Sequence, residues 1–266
     1  MKEFDARQQR LKEQFTAARG YWSDLWHDVL DLDADFFEAY MHFSSVPWQS
    51  GTLDPKVREL IYIAIDVSTT HLYDPGTRVH IQNALRYNAT REEIMEVIEL
   101  TSVLGIHTCT VGVPILVDEL RRANRQAELP HPELSEREQQ LKAEFIANRG
   151  YWSELWNDLL VLSPDFFAAY LELSSVPWRK GRLEPKVREL IYVAIDAATT
   201  HLYEPGIRIH IRNALGYGAT GKEIMEVFQL ASVLGIHSCT SGVPLLVDAL
   251  RASEQHATAN AIPPTV

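Results

Sequence analysis

Apolar residues recur along the chain at three- and four-residue spacing, and no segment shows the strict alternation of a half-buried strand. Leu11, Phe15, Ala18, Trp22, Leu25, Trp26 and Val29 form the first such run, which Gly20 is expected to divide. Asp33 is placed to cap the next helix, ADFFEAYMHFSS, which Pro47 is expected to end because proline lacks an N–H and crowds the preceding turn. After a turn at Ser50-Gly51, a helix is predicted from Lys56 to about Leu72, capped by Asp54 and opened by Pro55. Leu60, Ile61, Ile63, Ala64, Ile65 and Val67 make it apolar nearly all round, so it should be buried among other helices. Asp74-Pro75-Gly76 reads as a turn, followed by a helix from about Thr77 to Tyr87. Thr90 and Glu93 form a capping box for the long helix EEIMEVIELTSVLGIH, as Thr220 and Glu223 do later; Gly112 and Pro114 are expected to kink or break that helix before ILVDELRRA.

The whole pattern then returns. Adding 130 to a residue number pairs the two halves without a gap from Leu11/Leu141 to Leu120/Leu250, and about two thirds of the paired positions are identical. That period suits a small domain rather than a solenoid unit. The expected organisation is an all-α protein with one domain over residues 1–123, a polar, proline-punctuated linker over 124–137, a second domain over 138–252, and a disordered tail over 253–266.

Composition narrows the classes of function. The chain has 266 residues, 46% hydrophobic, with a net charge of −11 and no strong cluster of Lys or Arg, which argues against nucleic acid and anionic membrane surfaces as partners. Two cysteines, Cys109 and Cys239, make no disulfide framework and fit a reducing compartment. The charged N-terminus does not resemble a signal peptide, and no window reads as a membrane span, so a cytoplasmic location is expected.

The central helix carries charge where burial is expected. Glu59, Tyr62 and Asp66 fall on one stripe, and buried charges must be paired, hydrogen-bonded or lining a cavity. Tyr62 and Asp66 read as a buried hydrogen-bonded pair. His71 should close the helix and His80 should lie one turn into the next. Each has a structural alternative: Glu59 as the ion-pair partner of Arg58 or Arg78, His71 as a histidine favoured at a helix C-terminus, His80 as a satisfied core histidine. The aromatic set Tyr21, Trp22, Trp26, Phe36, Phe37, Tyr40 and Trp48 reads as core, and any pocket it borders would be apolar.

The run LDPKVRELIYIAID, His71, His80-Ile81-Gln82-Asn83-Ala84-Leu85, Tyr87-Asn88-Ala89-Thr90 and Glu93-Ile94 resembles the carboxymuconolactone decarboxylase and alkylhydroperoxidase D-like superfamily, as does its second copy. The resemblance implies an all-α domain that assembles into trimers or hexamers, so a tandem chain is expected to form a homo-oligomer, as a pseudo-hexameric trimer or a dimer. The peroxidase branch carries a Cys-x-x-Cys after the central helix. Here His71 and Asp74 stand in those places, and the attacking thiolate that such chemistry needs is missing there. Cys109 reads as a small buried hydrophobe.

The decarboxylase branch lacks those cysteines and works without a cofactor. By that resemblance His80 is the general acid, Glu59 its orienting partner and His71 the donor to a developing oxyanion, with His107 lining the same pocket; Glu189, His201, His210 and His237 repeat the set. Arg78 and Arg208 are candidates to hold the carboxylate of a small carboxylated substrate. Two other classes stay open: a metal-dependent enzyme built on His71, His80 and His107, although no two of these stand at i, i+4, and a non-catalytic assembly protein.

Overall fold

The structure is a computed structural model that describes residues 3–259, with side chains through residue 253. Among the described residues every regular element is helical. The first repeat comprises α1 (Ala6–Arg19), α2 (His27–Leu32), α3 (Ala34–Ser50), α4 (Pro55–Val67), α5 (Asp74–Arg86), α6 (Arg91–Ser102) and α7 (His107–Arg122). The second comprises α8 (Glu136–Arg149), α9 (Asn157–Leu162), α10 (Pro164–Lys180), α11 (Pro185–Ala197), α12 (Glu204–Gly216), α13 (Gly221–Ser232) and α14 (His237–Ala259). Gly20 and Gly150 end α1 and α8 in the left-handed region, at φ 77° and 78°, where only glycine is unstrained. Both predicted capping boxes form at the starts of α6 and α13.

Several boundaries differ from those the sequence suggests. α3 runs through Pro47 to Ser50, and α7 runs through Gly112 and Pro114. The break between α6 and α7 is instead a 3-10 turn at Val103–Ile106, which re-aims the chain just before His107. α4 stops at Val67, and α5 already begins at Asp74, with Pro75 in its first turn. α14 continues to Ala259, past the point where a disordered tail was expected; residues 260–266 lie outside the described residues. The continuous helical runs Arg91–Arg122 and Gly221–Ser253 do each contain an 18-residue window apolar enough to cross a membrane, with mean hydropathy 1.7 and 1.5, contrary to the sequence expectation. Both runs carry partly buried residues packed on the other repeat.

The repeats do not fold as separate beads. α4 and α11 pack against each other at the centre of one core that takes Leu60, Ile61, Ile63 and Ile65 from one repeat and Leu190, Ile191, Val193 and Ile195 from the other. Two satellite cores also cross over: Ile236 joins Phe15, Trp26 and Phe37, and Ile106 joins Phe145, Trp156 and Phe167. Buried ion pairs lock the exchange. Arg58 donates from Nε to Glu226 at 2.7 Å, whose other oxygen accepts the backbone N–H of Leu53 at 3.0 Å. Arg188 and Leu183 treat Glu96 the same way, at 2.6 and 2.9 Å. Such pairs hold register because separating them strands charge in an apolar interior. A consequence for the chemistry is that α14 lies against α2, and α7 against α9.

Candidate active site

The site is made by the chain reversal at the end of α4. The carbonyl of Ser68 accepts N–H groups from His71 and Leu72, each at 2.8 Å, and that of Asp66 accepts from Tyr73 at 2.8 Å. Leu72 is held at φ 50°, and Leu202 repeats it, a left-handed conformation that leucine adopts at a cost. This reversal turns His71 and Tyr73 back toward Asp66, in the last turn of α4. α5 then passes so close that a Cβ at Gly76 would run into the Asp66 carboxylate and the Tyr73 ring. The approach carries His80 onto Glu59.

Glu59 is fully buried, and its Oε2 lies 2.6 Å from His80 Nδ1. A carboxylate only accepts, so His80 donates from Nδ1 and its Nε2 is left facing Asp66 Oδ2 at 4.0 Å. Asn83 donates to the other Glu59 oxygen at 3.5 Å, and Tyr62 stacks on the imidazole at 4.5 Å. Tyr62 therefore does not pair with Asp66: its hydroxyl and both Asp66 oxygens are buried without hydrogen-bond partners among the described residues.

The second repeat completes this site. His237, at the start of α14, stacks on Tyr73 at 3.9 Å and places Nδ1 2.7 Å from His71 Nε2. Thr240, one turn on, hydrogen-bonds the Tyr73 hydroxyl. The twin site has His210 on Glu189 at 2.6 Å and His201 on His107 at 2.7 Å, with Thr110 bonded to the Tyr203 hydroxyl at 2.6 Å. His107 thus serves the second repeat's site and His237 the first's, a correction to the set His71, His80 and His107 read along the sequence. That set groups residues by chain order, whereas the crossed cores group them by space.

Burial sets the electrostatics. It pushes the Asp66 and Asp196 carboxyls up to about 7, with His80 or His210 pulling the other way. Burial, helped by His71 and His80, lowers His237 to about 3, and His107 is lowered equally in its own site. Burial also lowers His71 and His201. Near neutral pH these four imidazoles are uncharged.

Arg78 and Arg208 are not in either site. They lie on the solvent face of α5 and α12, over 70% exposed, paired with Asp74 and Glu204. Nor does Glu59 pair with Arg58, which belongs to Glu226. The buried cation beside the site is Arg19, with Arg149 as its twin. Arg19 NH1 reaches the Ser44 carbonyl at 3.3 Å, while its Nε is buried without a partner. Among the described residues it has no carboxylate within ion-pairing reach; Trp48, Tyr62 and Phe15 surround it at 4.9–5.9 Å. Arg19, Tyr21, Tyr40, Tyr62, His80 and His237 line a cavity of about 30 Å³. A second of about 30 Å³, sharing Tyr21, Trp26, His80 and His237 with it, extends to Tyr73 and Thr240. Two larger grooves, of about 510 and 390 Å³, lie between the repeats, are lined by charged and apolar side chains and hold none of the histidines, and a third, of about 300 Å³, is lined by Phe36, Tyr40, Phe43 and Ile236. Cys109 and Cys239 are free and packed against the satellite cores, and neither lines the two cavities.

An all-helical duplicated domain with a buried Glu–His pair joining its central helix to the next, and no Cys-x-x-Cys at the turn between them, fits the kind of alkylhydroperoxidase D-like protein that lacks the cysteine pair. The sequence pattern of the carboxymuconolactone decarboxylase family matches residues 34–105 and 164–255, and the chain belongs to that family. Its structure is similar to that of a provisionally named gamma-carboxymuconolactone decarboxylase subunit from Burkholderia xenovorans LB400, with a TM-score of 0.89 and 49% identity over 92% of this chain and 98% of that one. No curated protein matches the sequence.

Proposed function

We propose that the protein is a lyase that removes CO₂ from a small carboxylated lactone. The observation that carries this reading is Arg19, a buried guanidinium without a carboxylate partner among the described residues, on the wall of the same cavity as His80, whose ring Glu59 holds from behind. A buried cation left unpaired by its own protein is suited to an anionic ligand. The family and the name of the Burkholderia relative point to the same reaction class.

In this reaction the C–C bond to the departing carboxylate breaks, CO₂ leaves, and the electron pair moves into the conjugated carbonyl as an enolate. Arg19 holds the oxygen that gains charge. Tyr21, whose phenol burial pushes up to about 12, keeps its proton and donates to the same region. His80 then delivers a proton from Nε2 to carbon, and Glu59, bound to Nδ1, stabilises the imidazolium before transfer and fixes the ring. Each cavity has room for about one water, so substrate entry requires the site to open, and Tyr21 and Ser23, on the short irregular segment after α1, are lining residues outside the satellite core.

Exposed apolar side chains support self-association. Val111, Ile115 and Leu116 on α7, and Leu245, Leu246 and Leu250 on α14, are each about half exposed or more. Covering them in a homo-oligomer, as a trimer with six repeats or a dimer, accounts for that surface, and the Burkholderia relative is named as a subunit.

The direct test is CO₂ release from carboxylated lactones of the muconolactone type. Turnover is expected in the wild type and should fall at least about 10²-fold in folded His80→Ala/His210→Ala protein, the range for losing an acid–base group. Undiminished release by that double variant would remove His80 and His210 from the mechanism.

A further inference from the structure

Asp66, His71 and His237 bring one carboxylate oxygen and two imidazole nitrogens together within 4.8 Å, and Asp196, His201 and His107 do the same in the twin. Within the first set Asp66 Oδ1 is 4.0 Å from His71 Nε2 and 3.8 Å from His237 Nδ1. In the second the corresponding distances are 3.9 and 3.8 Å. Asp66 and Asp196 are each 1% exposed, and all four of their carboxylate oxygens lack a hydrogen-bond donor among the described residues.

Hydrogen bonding alone accounts poorly for this arrangement. If the two imidazoles only shared protons with their surroundings, an N–H would turn to the carboxylate, because a charge-assisted bond is about twice as strong as a neutral one. Instead one imidazole N–H is spent on the other imidazole nitrogen, at 2.7 Å in each site, and the carboxylate goes unserved. Once that shared proton leaves, three lone-pair donors converge on one point, an arrangement suited to a cation between them. Donors about 2.0–2.1 Å from a tetrahedral ion stand about 3.4 Å apart, and the separations of 2.7, 3.8 and 4.0 Å bracket that value. His80, whose Nε2 faces the other Asp66 oxygen at 4.0 Å, Glu59 and Tyr73 are the remaining titratable groups around the point.

We propose that each site of this chain binds one divalent first-row transition ion through one aspartate and two histidines, with one histidine supplied by the opposite repeat: Asp66, His71 and His237 in one site, Asp196, His201 and His107 in the other. Two imidazoles and a carboxylate form a donor set suited to Fe²⁺ or Zn²⁺ that leaves coordination positions open. Two neutral imidazoles and one carboxylate leave the bound ion a net positive charge facing the cavity that His237 lines. A use for that charge in holding an enolate oxygen rests on the lyase reading; the binding itself does not.

The test is metal content by mass spectrometry on the full chain, stripped with chelator and re-equilibrated with Zn²⁺, or with Fe²⁺ without oxygen. The wild type is expected to hold two equivalents, and Asp66→Asn/Asp196→Asn protein none. His71→Ala/His237→Ala, which damages one site, should keep one equivalent, whereas His71→Ala/His107→Ala, which damages both, should keep none. A substoichiometric wild type, or content indifferent to these changes, overturns the proposal. Co²⁺ titration of the wild type gives an answer free of any folding defect: intense visible d–d bands saturating at two equivalents support it, and the weak spectrum of the aquo ion contradicts it. CO₂ release assayed before and after chelation separates the two readings. Metal without turnover defeats the lyase; turnover that survives chelation defeats the ion's use in holding the enolate oxygen, and the metal content alone decides whether the ion binds.

Discussion

At the scale of single residues, the informative side chains are those whose partners are missing. Glu59 and His80 satisfy each other; a carboxylate on an otherwise apolar helix has to be answered, but the residues alone left Arg58 and Arg78 open as its partners and only the family resemblance pointed to His80. Arg19 was not. It stands just before Gly20 at the end of an amphipathic helix, where a basic residue reads as a cap for the last carbonyls. Only the fold shows that it turns inward to the cavity. Its proposed role in holding the oxygen that gains charge makes a specific prediction: Arg19→Ala/Arg149→Ala should lower kcat at least about tenfold, the loss of about 1.4 kcal/mol or more expected when a charged hydrogen-bond partner goes. Lysine at both positions should recover part of the loss. An unchanged kcat in folded protein would return Arg19 to a structural role.

At the scale of elements, the turn between α4 and α5 does the positioning. The sequence places a proline-glycine break near here, but it suggests a loop from Asp74 to Gly76 where the chain is already helical. Proline is tolerated in a first helical turn, and the same tolerance misplaces the boundary. Pro47, Gly112 and Pro114 mislead in a similar way, since tertiary packing keeps α3 and α7 continuous across them. Gly76 matters here for space rather than for its own backbone angles. Any side chain there meets the Asp66 carboxylate and the Tyr73 ring, backed by the rest of the site. Gly76→Ala should destabilise the protein by about 1–3 kcal/mol, the usual range for overpacking, as read by denaturant titration. It should also impair the first site, while Gly216→Ala, with open space around its Cβ, should do neither. Equal behaviour of the two variants would show that α5 can yield at Gly76.

At the scale of the whole molecule, duplication was plain in the sequence and the crossing of the repeats was not. Near-identical halves give every residue two candidate positions, and spacing within one half cannot tell whether His107 meets His71 of its own repeat or His201 of the other. The shared core of α4 with α11, and the Arg58–Glu226 and Arg188–Glu96 pairs, decide for the second. The central claim is therefore a decarboxylating chain with two equivalent sites, each built from both repeats. It is tested most directly by the rate of CO₂ release from two double variants compared with the wild type. His80→Ala/His237→Ala strikes one site twice and should retain about half of the wild-type rate, since the twin is intact. His80→Ala/His107→Ala strikes each site once and should lose nearly all of it, because an acid–base group or its close neighbour is gone from both. The reverse order, with the second variant keeping half and the first losing everything, would mean that each repeat builds its own site and would contradict the account.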